Sequence, residues 1–269
     1  MPRKILPMPI PFRNALLMAL LATALPGMAW AEDDAEPAAG APFSVGDAYT
    51  SDAGQFQLQG TFGYERARGG REGFTPGATL KYGLNDRMEL SLDGAYGLGN
   101  DSGVNLGSIG PALTWRLADQ EGWRPTLSLS LGASKPFGPG RGGWGTELGA
   151  ATSWVTGSGT GHWGLHLNAG FLATIDPLPG ERPNGYLFGG AISHVLNPQT
   201  VLVAAYAQQT QDEGERDLRL VEAGVIRNLT ETLSLGVAAG AGVNRDSPRL
   251  RLTAALTYSF GTGGSGSGR

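Results

Sequence analysis

From Gln55 to Phe260 the chain alternates apolar and polar residues with a period of two, over segments too long for an ordinary soluble sheet. Phe56, Leu58, Phe62 and Tyr64 share one face, while Gln55, Gln57, Gln59, Thr61 and Glu65 share the other. Leu250, Leu252, Ala254, Leu256, Tyr258 and Phe260 likewise alternate with Arg249, Arg251, Thr253, Thr257 and Ser259. A period of two means strands with one apolar and one polar face. About twelve such segments follow one another: 55–66, 74–84, 88–98, 104–117, 123–136, 143–155, 162–175, 185–196, 200–210, 217–228, 232–243 and 249–260. Two of them, 200–210 and 217–228, are apolar on both faces, and 104–117 slips phase at Gly107-Ser108 as a bulge would. Turn residues separate the segments, among them Asn85-Asp86, Asn197-Pro198-Gln199 and Asp246-Ser247-Pro248.

Strands of about 10–14 residues exceed the usual ~5–6 of globular sheets and match the ~9–11 that a tilted membrane-spanning strand needs. The polar face is mostly Gly, Ser, Ala and Thr with scattered charges, as a lumen would be. With strands running alternately up and down, Phe56, Tyr82, Trp115, Trp123, Trp154, Trp163, Tyr258 and Phe260 fall at one end. Tyr64, Phe74, Tyr96, Phe137, Trp144 and Tyr186 fall at the other, with mostly Leu, Ala, Val and Ile between, Phe62 and Phe171 being the exceptions. Two aromatic girdles flanking an aliphatic band mark the lipid interfaces of a membrane β-barrel. The fold class expected is therefore all-β, a transmembrane antiparallel up-and-down barrel of about twelve strands spanning 55–260. An even strand number places both ends of the barrel in the periplasm.

The first residues agree with export to that compartment. Arg3, Lys4 and Arg13 precede the apolar run Ala15–Ala24, and Ala29-Trp30-Ala31 offers a small-x-small cleavage site. That order reads as a signal peptide over 1–31; the run is well short of the ~20 residues of a membrane helix. Residues 32–54 are acidic, then rich in Ala and Pro, and read as a flexible periplasmic segment. Residues 261–269 form a Gly/Ser-rich tail. Charged residues are only 16% of the chain, its net charge is −4 and it has no cysteine. A mild negative charge argues against nucleic acid as a partner, and the absence of cysteine excludes disulfides and thiolate metal sites.

The segment Tyr82-Gly83-Leu84-Asn85-Asp86-Arg87-Met88-Glu89-Leu90 resembles a strand–turn–strand of the phenol meta-pathway (MetA-type) outer-membrane transporter family. Val195-Leu196-Asn197-Pro198 and Ile226–Leu233 resemble later turns of the same family, and Leu256-Thr257-Tyr258-Ser259-Phe260 is similar to the terminal strand signal read by the barrel-assembly machinery. The resemblance implies an outer-membrane barrel passing small molecules, with no agreed substrate or catalytic residue. Its partners would be outer-membrane lipids, the assembly machinery during biogenesis and a small-solute cargo the sequence does not name.

The residues placed on the inner face as pore-lining candidates are Gln57, Gln59, Glu65, Lys81, Glu89, Asp93, Arg116, Arg124, Glu147, His166, Asn168, Arg249 and Arg251. They could set ion preference, or pair with one another and stiffen the barrel. Twelve strands lie between the eight that side chains fill and the sixteen to eighteen of porins, so a narrow channel is the leading reading. A closed structural or interaction barrel is the second, and a lipid-acting barrel enzyme the third. Neighbours in sequence, Ser193 and His194 point to opposite faces, and no Ser-His-acid set has a strand-compatible spacing. Three scattered histidines, His162, His166 and His194, do not suggest zinc. No catalytic residue, metal or cofactor is assigned. Gly138–Gly143 is a Gly-rich loop without the following Lys-Ser/Thr of a phosphate cradle.

Overall fold

The computed structural model describes residues 35–100, 106–138 and 143–261. The expected signal peptide, the tail after 261 and most of the Gly-rich loop at 138–143 lie outside the described residues.

The strands are β1 (Gln55–Arg66), β2 (Glu72–Asn85), β3 (Met88–Tyr96), β4 (Leu98–Gly99), β5 (Gly107–Ala118), β6 (Thr126–Phe137), β7 (Trp144–Val155), β8 (Trp163–Ile175), β9 (Asn184–Asn197), β10 (Thr200–Gln209), β11 (Leu218–Asn228), β12 (Leu233–Gly242) and β13 (Leu250–Gly261). The two-residue β4 continues β3 along β2, pairing Phe74 with Leu98 and Gly73 with Gly99. Counted as staves, the described residues therefore form twelve. Every long neighbour pair is antiparallel, and β1 pairs with both β2 and β13. The β1–β13 ladder runs unbroken from Gln55↔Gly261 to Arg66↔Leu250 and closes the sheet. Closure leaves no edge, which matters in lipid because an unpaired backbone group there costs several kcal/mol.

The alternation sorts side chains as the sequence predicts. Leu58, Phe62, Leu92, Ile109, Leu131, Leu148, Leu167, Phe171, Ile192 and Leu256 are all exposed on the outer face. Soluble monomers rarely expose apolar patches above a few hundred Å²; a belt running round the whole wall is a lipid-facing surface. Aromatic pairs ring it at both ends. Phe56 lies 4.5 Å from Tyr82 and 5.5 Å from Phe260 at one rim. Tyr64 and Phe74 are 5.2 Å apart, and Tyr96 and Phe137 are 6.0 Å apart, at the other. Connections at the end that carries the start of β1 and the last residue of β13 run from two residues (86–87 and 198–199) to seven (119–125 and 156–162), whereas those at the opposite end run from five (67–71) upward, with eight at 176–183 and 210–217. Short turns mark the periplasmic end and long loops the outside.

One expectation about register is corrected. The β3–β5 ladder is continuous down to Tyr96↔Gly107, so there is no slip at Gly107-Ser108: the strand simply starts there. The irregularities lie between Gly83 and Asn85, between Arg116 and Ala118 and between Thr200 and Val201, beside the periplasmic turns, where one strand must absorb an extra residue.

Leu131 sits midway along β6 with 62% of its surface exposed. Leu131→Arg is expected to destabilise the barrel by about 2–4 kcal/mol, the cost of a basic side chain at the bilayer midplane. Denaturant titration in lipid vesicles, read by the mobility difference between boiled and unboiled protein, measures it.

Candidate functional site

The interior is not empty. Residues 35–54, expected as a flexible leader, instead run inside the barrel. Ala35 is tied to the periplasmic turns: its N–H donates to the Pro198 carbonyl at 2.9 Å, and the Ala35 carbonyl accepts from Gly159 N–H at 3.1 Å. At the far end of the segment Gly54 N–H donates to the Gly83 carbonyl at 2.9 Å, again at the periplasmic rim. Between these anchors the chain rises to mid-barrel and returns. It forms no strand, so its backbone donors need other partners.

Side chains of four staves supply them. Ser44 N–H donates to Glu222 Oε2 of β11 at 2.9 Å, and Gly46 N–H to Asn168 Oδ1 of β8 at 2.7 Å. Ala48 N–H donates to Ser153 Oγ of β7 at 2.9 Å. Ser51 donates to Glu89 Oε2 of β3 twice, from its N–H at 2.9 Å and from its hydroxyl at 2.6 Å. Carboxylates that accept such bonds make them short and strong. Glu222 and Glu89 are both buried, and each has a cation nearby. Arg251 lies 3.3 Å from Glu65 and 3.9 Å from Glu222, and donates to Ser44 Oγ at 3.0 Å. Lys81 is 3.2 Å from Glu89. Behind Ser153 a buried relay continues, with Ser153 Oγ and Ser193 Oγ each 2.9 Å from one ring nitrogen of His166.

The other side of the segment is apolar. Ala35, Ala39, Phe43 and Val45 join Ala191, Val195, Val201, Val203, Ala205, Ala207 and Ala238 in one buried cluster, with Ile226 packed against it. Burying the larger of these side chains stabilises the docked segment by about 1.5–3 kcal/mol each. Small inner residues make room. A Cβ on Gly189 would lie 2.7 Å from Val45 Cγ2, and one on Gly236 would collide with Pro42 Cδ. The lumen thus has an apolar wall on β9–β12 where the segment packs, interrupted by Glu222 and Ser193, and is polar on the remaining staves.

The pore-lining candidates distribute as follows. Gln57 and Gln59 bond across the ladder to Ser259 and Thr257, at 3.4 and 3.0 Å. Glu65, Lys81, Glu89, Asn168 and Arg251 belong to the network around the segment, and His166 to the relay. Asp93 accepts from Thr79 and Ser91 at 2.7 and 2.8 Å. Glu147 is half-buried on β7, paired with Gly132. Arg116 reaches Asp119 at 3.3 Å and the Asp86 carbonyl at the periplasmic rim. Arg124 and Arg249 lie outside the strands and are exposed, because β6 begins at Thr126 and β13 at Leu250. Glu222, Ser153 and Ser193 were missed. Each lies on an inward position, but only the segment they hold singles them out. Toward the outside the lumen opens into a cavity of about 210 Å³ whose lining includes Ser134, Thr174, Asn184, Thr210 and Asp212.

The comparisons agree with this geometry. No family model matches the chain, and no curated protein matches its sequence. Among solved structures, it is similar to the COG4313 outer membrane channel from Pseudomonas putida F1, with a TM-score of 0.56 at 16% identity, covering 81% of this chain and 100% of that one. The fold is that of an outer-membrane β-barrel. The KdgM porin superposes with a TM-score of 0.54 at 8% identity, over 76% of this chain and 99% of its own. The NanC porin gives 0.51 at 10% identity, over 77% and 100%. These neighbours are channels and porins rather than enzymes.

The chain has no cysteine, so Ala48→Cys provides a single buried reporter of the segment. Adding Asn168→Ala strands the Gly46 N–H, a loss of about 1–3 kcal/mol, and should speed labelling by a water-soluble maleimide roughly tenfold or more, since 1.4 kcal/mol is a factor of ten. An unchanged rate would show that this bond does not hold the segment.

Proposed function

We propose that the protein is a narrow passive channel for small solutes in the outer membrane, closed on its periplasmic side by its own residues 35–54. The observation that carries this reading is the pairing of a polar outer cavity with a separately docked inner segment. A barrel whose purpose was only structural could fill its interior with large side chains on the strands; here inward glycines and alanines leave the space and a removable piece of chain occupies it. The mixed signs of Glu65, Lys81, Glu89, Asp93, Glu147 and Arg251 along the lumen support weak ion selectivity. The resemblance of Tyr82–Leu90 to the meta-pathway transporters supports the same assignment, since that motif spans the β2–β3 turn. Folding through the barrel-assembly machinery is supported by the terminal run Leu256–Phe260 on β13. The closed-barrel reading is favoured by one observation, the number of separate staves that grip the segment. The lipid-acting enzyme has no such support: His166 is sealed between two buried serines, and His194 stacks on Trp163 at 4.1 Å.

Conductance separates the first two. In planar bilayers, deletion of 36–50 is expected to raise single-channel conductance several-fold over the intact chain. A disulfide between Val45→Cys and Gly189→Cys should hold the low level until a reductant is added. If the deleted protein inserts as a folded barrel and passes no current, the channel reading fails and the closed barrel stands.

A further inference from the structure

We infer that the outer rim over β9–β12 carries a binding site for a lipid-borne phosphate of the outer leaflet. Arg219 follows the lipid-facing phase of β11, on the same face as the exposed Val221, while Leu220 and Glu222 turn inward and are buried. It sits opposite Gln208 in the β10–β11 ladder, at the level of the outer aromatic girdle formed there by Tyr186, Phe188 and Tyr206. Above it a pocket of about 450 Å³ is lined by Arg182, Glu215, Arg216, Asp217, Arg219 and Asn244. Arg219 lies on the face that meets the lipid headgroups, whereas Arg182 also borders the cavity at the lumen mouth.

The charges in the pocket are unevenly matched. Asp217 is already engaged, accepting from Tyr186 Oη at 2.7 Å and from Gln208 Nε2 at 3.0 Å. Arg216 approaches Asp246 at a long 3.9 Å. Arg182 donates only weakly, to the carbonyls of Asp212 and Glu215 at 3.4 Å each. Among the described residues neither Arg182 nor Arg219 forms an ion pair, while the Glu215 carboxylate lines the same pocket. Guanidinium groups with spare donors, converging at a headgroup interface, fit phosphate bidentately. The girdle below them would pack against acyl chains and the base of the headgroup. The contrast with the other end is consistent: on these same staves the periplasmic turns 198–199 and 229–232 contain no Lys or Arg. The ligand class is therefore a lipid-borne phosphate, with diphosphoryl lipid A as its probe.

Native mass spectrometry of the intact barrel in micelles tests this with three probes: diphosphoryl lipid A, the same lipid with its phosphates removed, and inorganic phosphate as competitor. The expected result is retention of the phosphorylated lipid, at least tenfold weaker retention of the dephosphorylated one, and no competition by millimolar phosphate. Arg182→Ala with Arg219→Ala should weaken the phosphorylated lipid at least tenfold while the unboiled protein keeps its folded mobility. Equal retention of both lipids, or by the double variant, overturns the site. Displacement by inorganic phosphate overturns the lipid source and leaves a site for free phosphate. Should the double variant fail to fold, Arg182→Lys with Arg219→Lys keeps the charge and removes the fork. It is then expected to bind the phosphorylated lipid several-fold more weakly, and undiminished binding overturns the assignment.

Discussion

The ladder between β1 and β13 is the contact on which the rest depends. In hydrocarbon no water is present to take a free N–H or carbonyl, so a sheet can cross only if its first and last strands find each other. Gln55–Arg66 meeting Leu250–Gly261 satisfies both edges at once. Once the sheet is closed, the pleat dictates the remainder. Alternate residues must face lipid, and these are the leucines, isoleucines and aromatic rings. The residues between them face inward and are released from the demand to be apolar.

That release creates a second problem. Side chains fill a barrel of eight strands but not one of twelve, and the inner face here is rich in glycine and alanine. Residues 35–54 supply the missing volume. Because they form no strand, their backbone donors must be satisfied one at a time by Glu222, Asn168, Ser153 and Glu89. A buried carboxylate is tolerable only with a cation or several donors beside it, which explains why Arg251 and Lys81 stand where they do. The ion pairs of the lumen are thus not general reinforcement. They hold in place the acceptors that the inserted segment needs.

The fold was legible because lipid imposes a strict two-residue code along a long stretch, and the same regularity revealed the girdles, the strand number and the short periplasmic turns. The interior was less legible, for the opposite reason. A segment without secondary structure has no period, and Ala-Pro composition reads as a loose leader whether or not something encloses it. Yet the chain carried a trace of it. The strands 200–210 and 217–228 were apolar on both faces, which breaks the code for a water-filled lumen. Val201, Val203, Ala205 and Leu220 face inward because Phe43 and Val45 cover that wall. What looked like poor phasing was a docking surface. The partner acceptors could not be found this way, since Ser153 and Ser193 resemble any other small polar inward residue until the segment is in place.

The two walls also bear on how the inserted segment can leave. Sliding it along the axis would drag Phe43 and Val45 off the apolar wall and expose that wall to water, while unpairing Glu89 on the polar side and Glu222 within the apolar wall. Both losses arrive together, so partial displacement is costly and the docked and released arrangements are separated rather than continuous. Interfaces of this kind behave as bistable elements. Gly189 and Gly236 admit the docked segment, and larger side chains at these positions would occupy the lumen whether or not the segment were there.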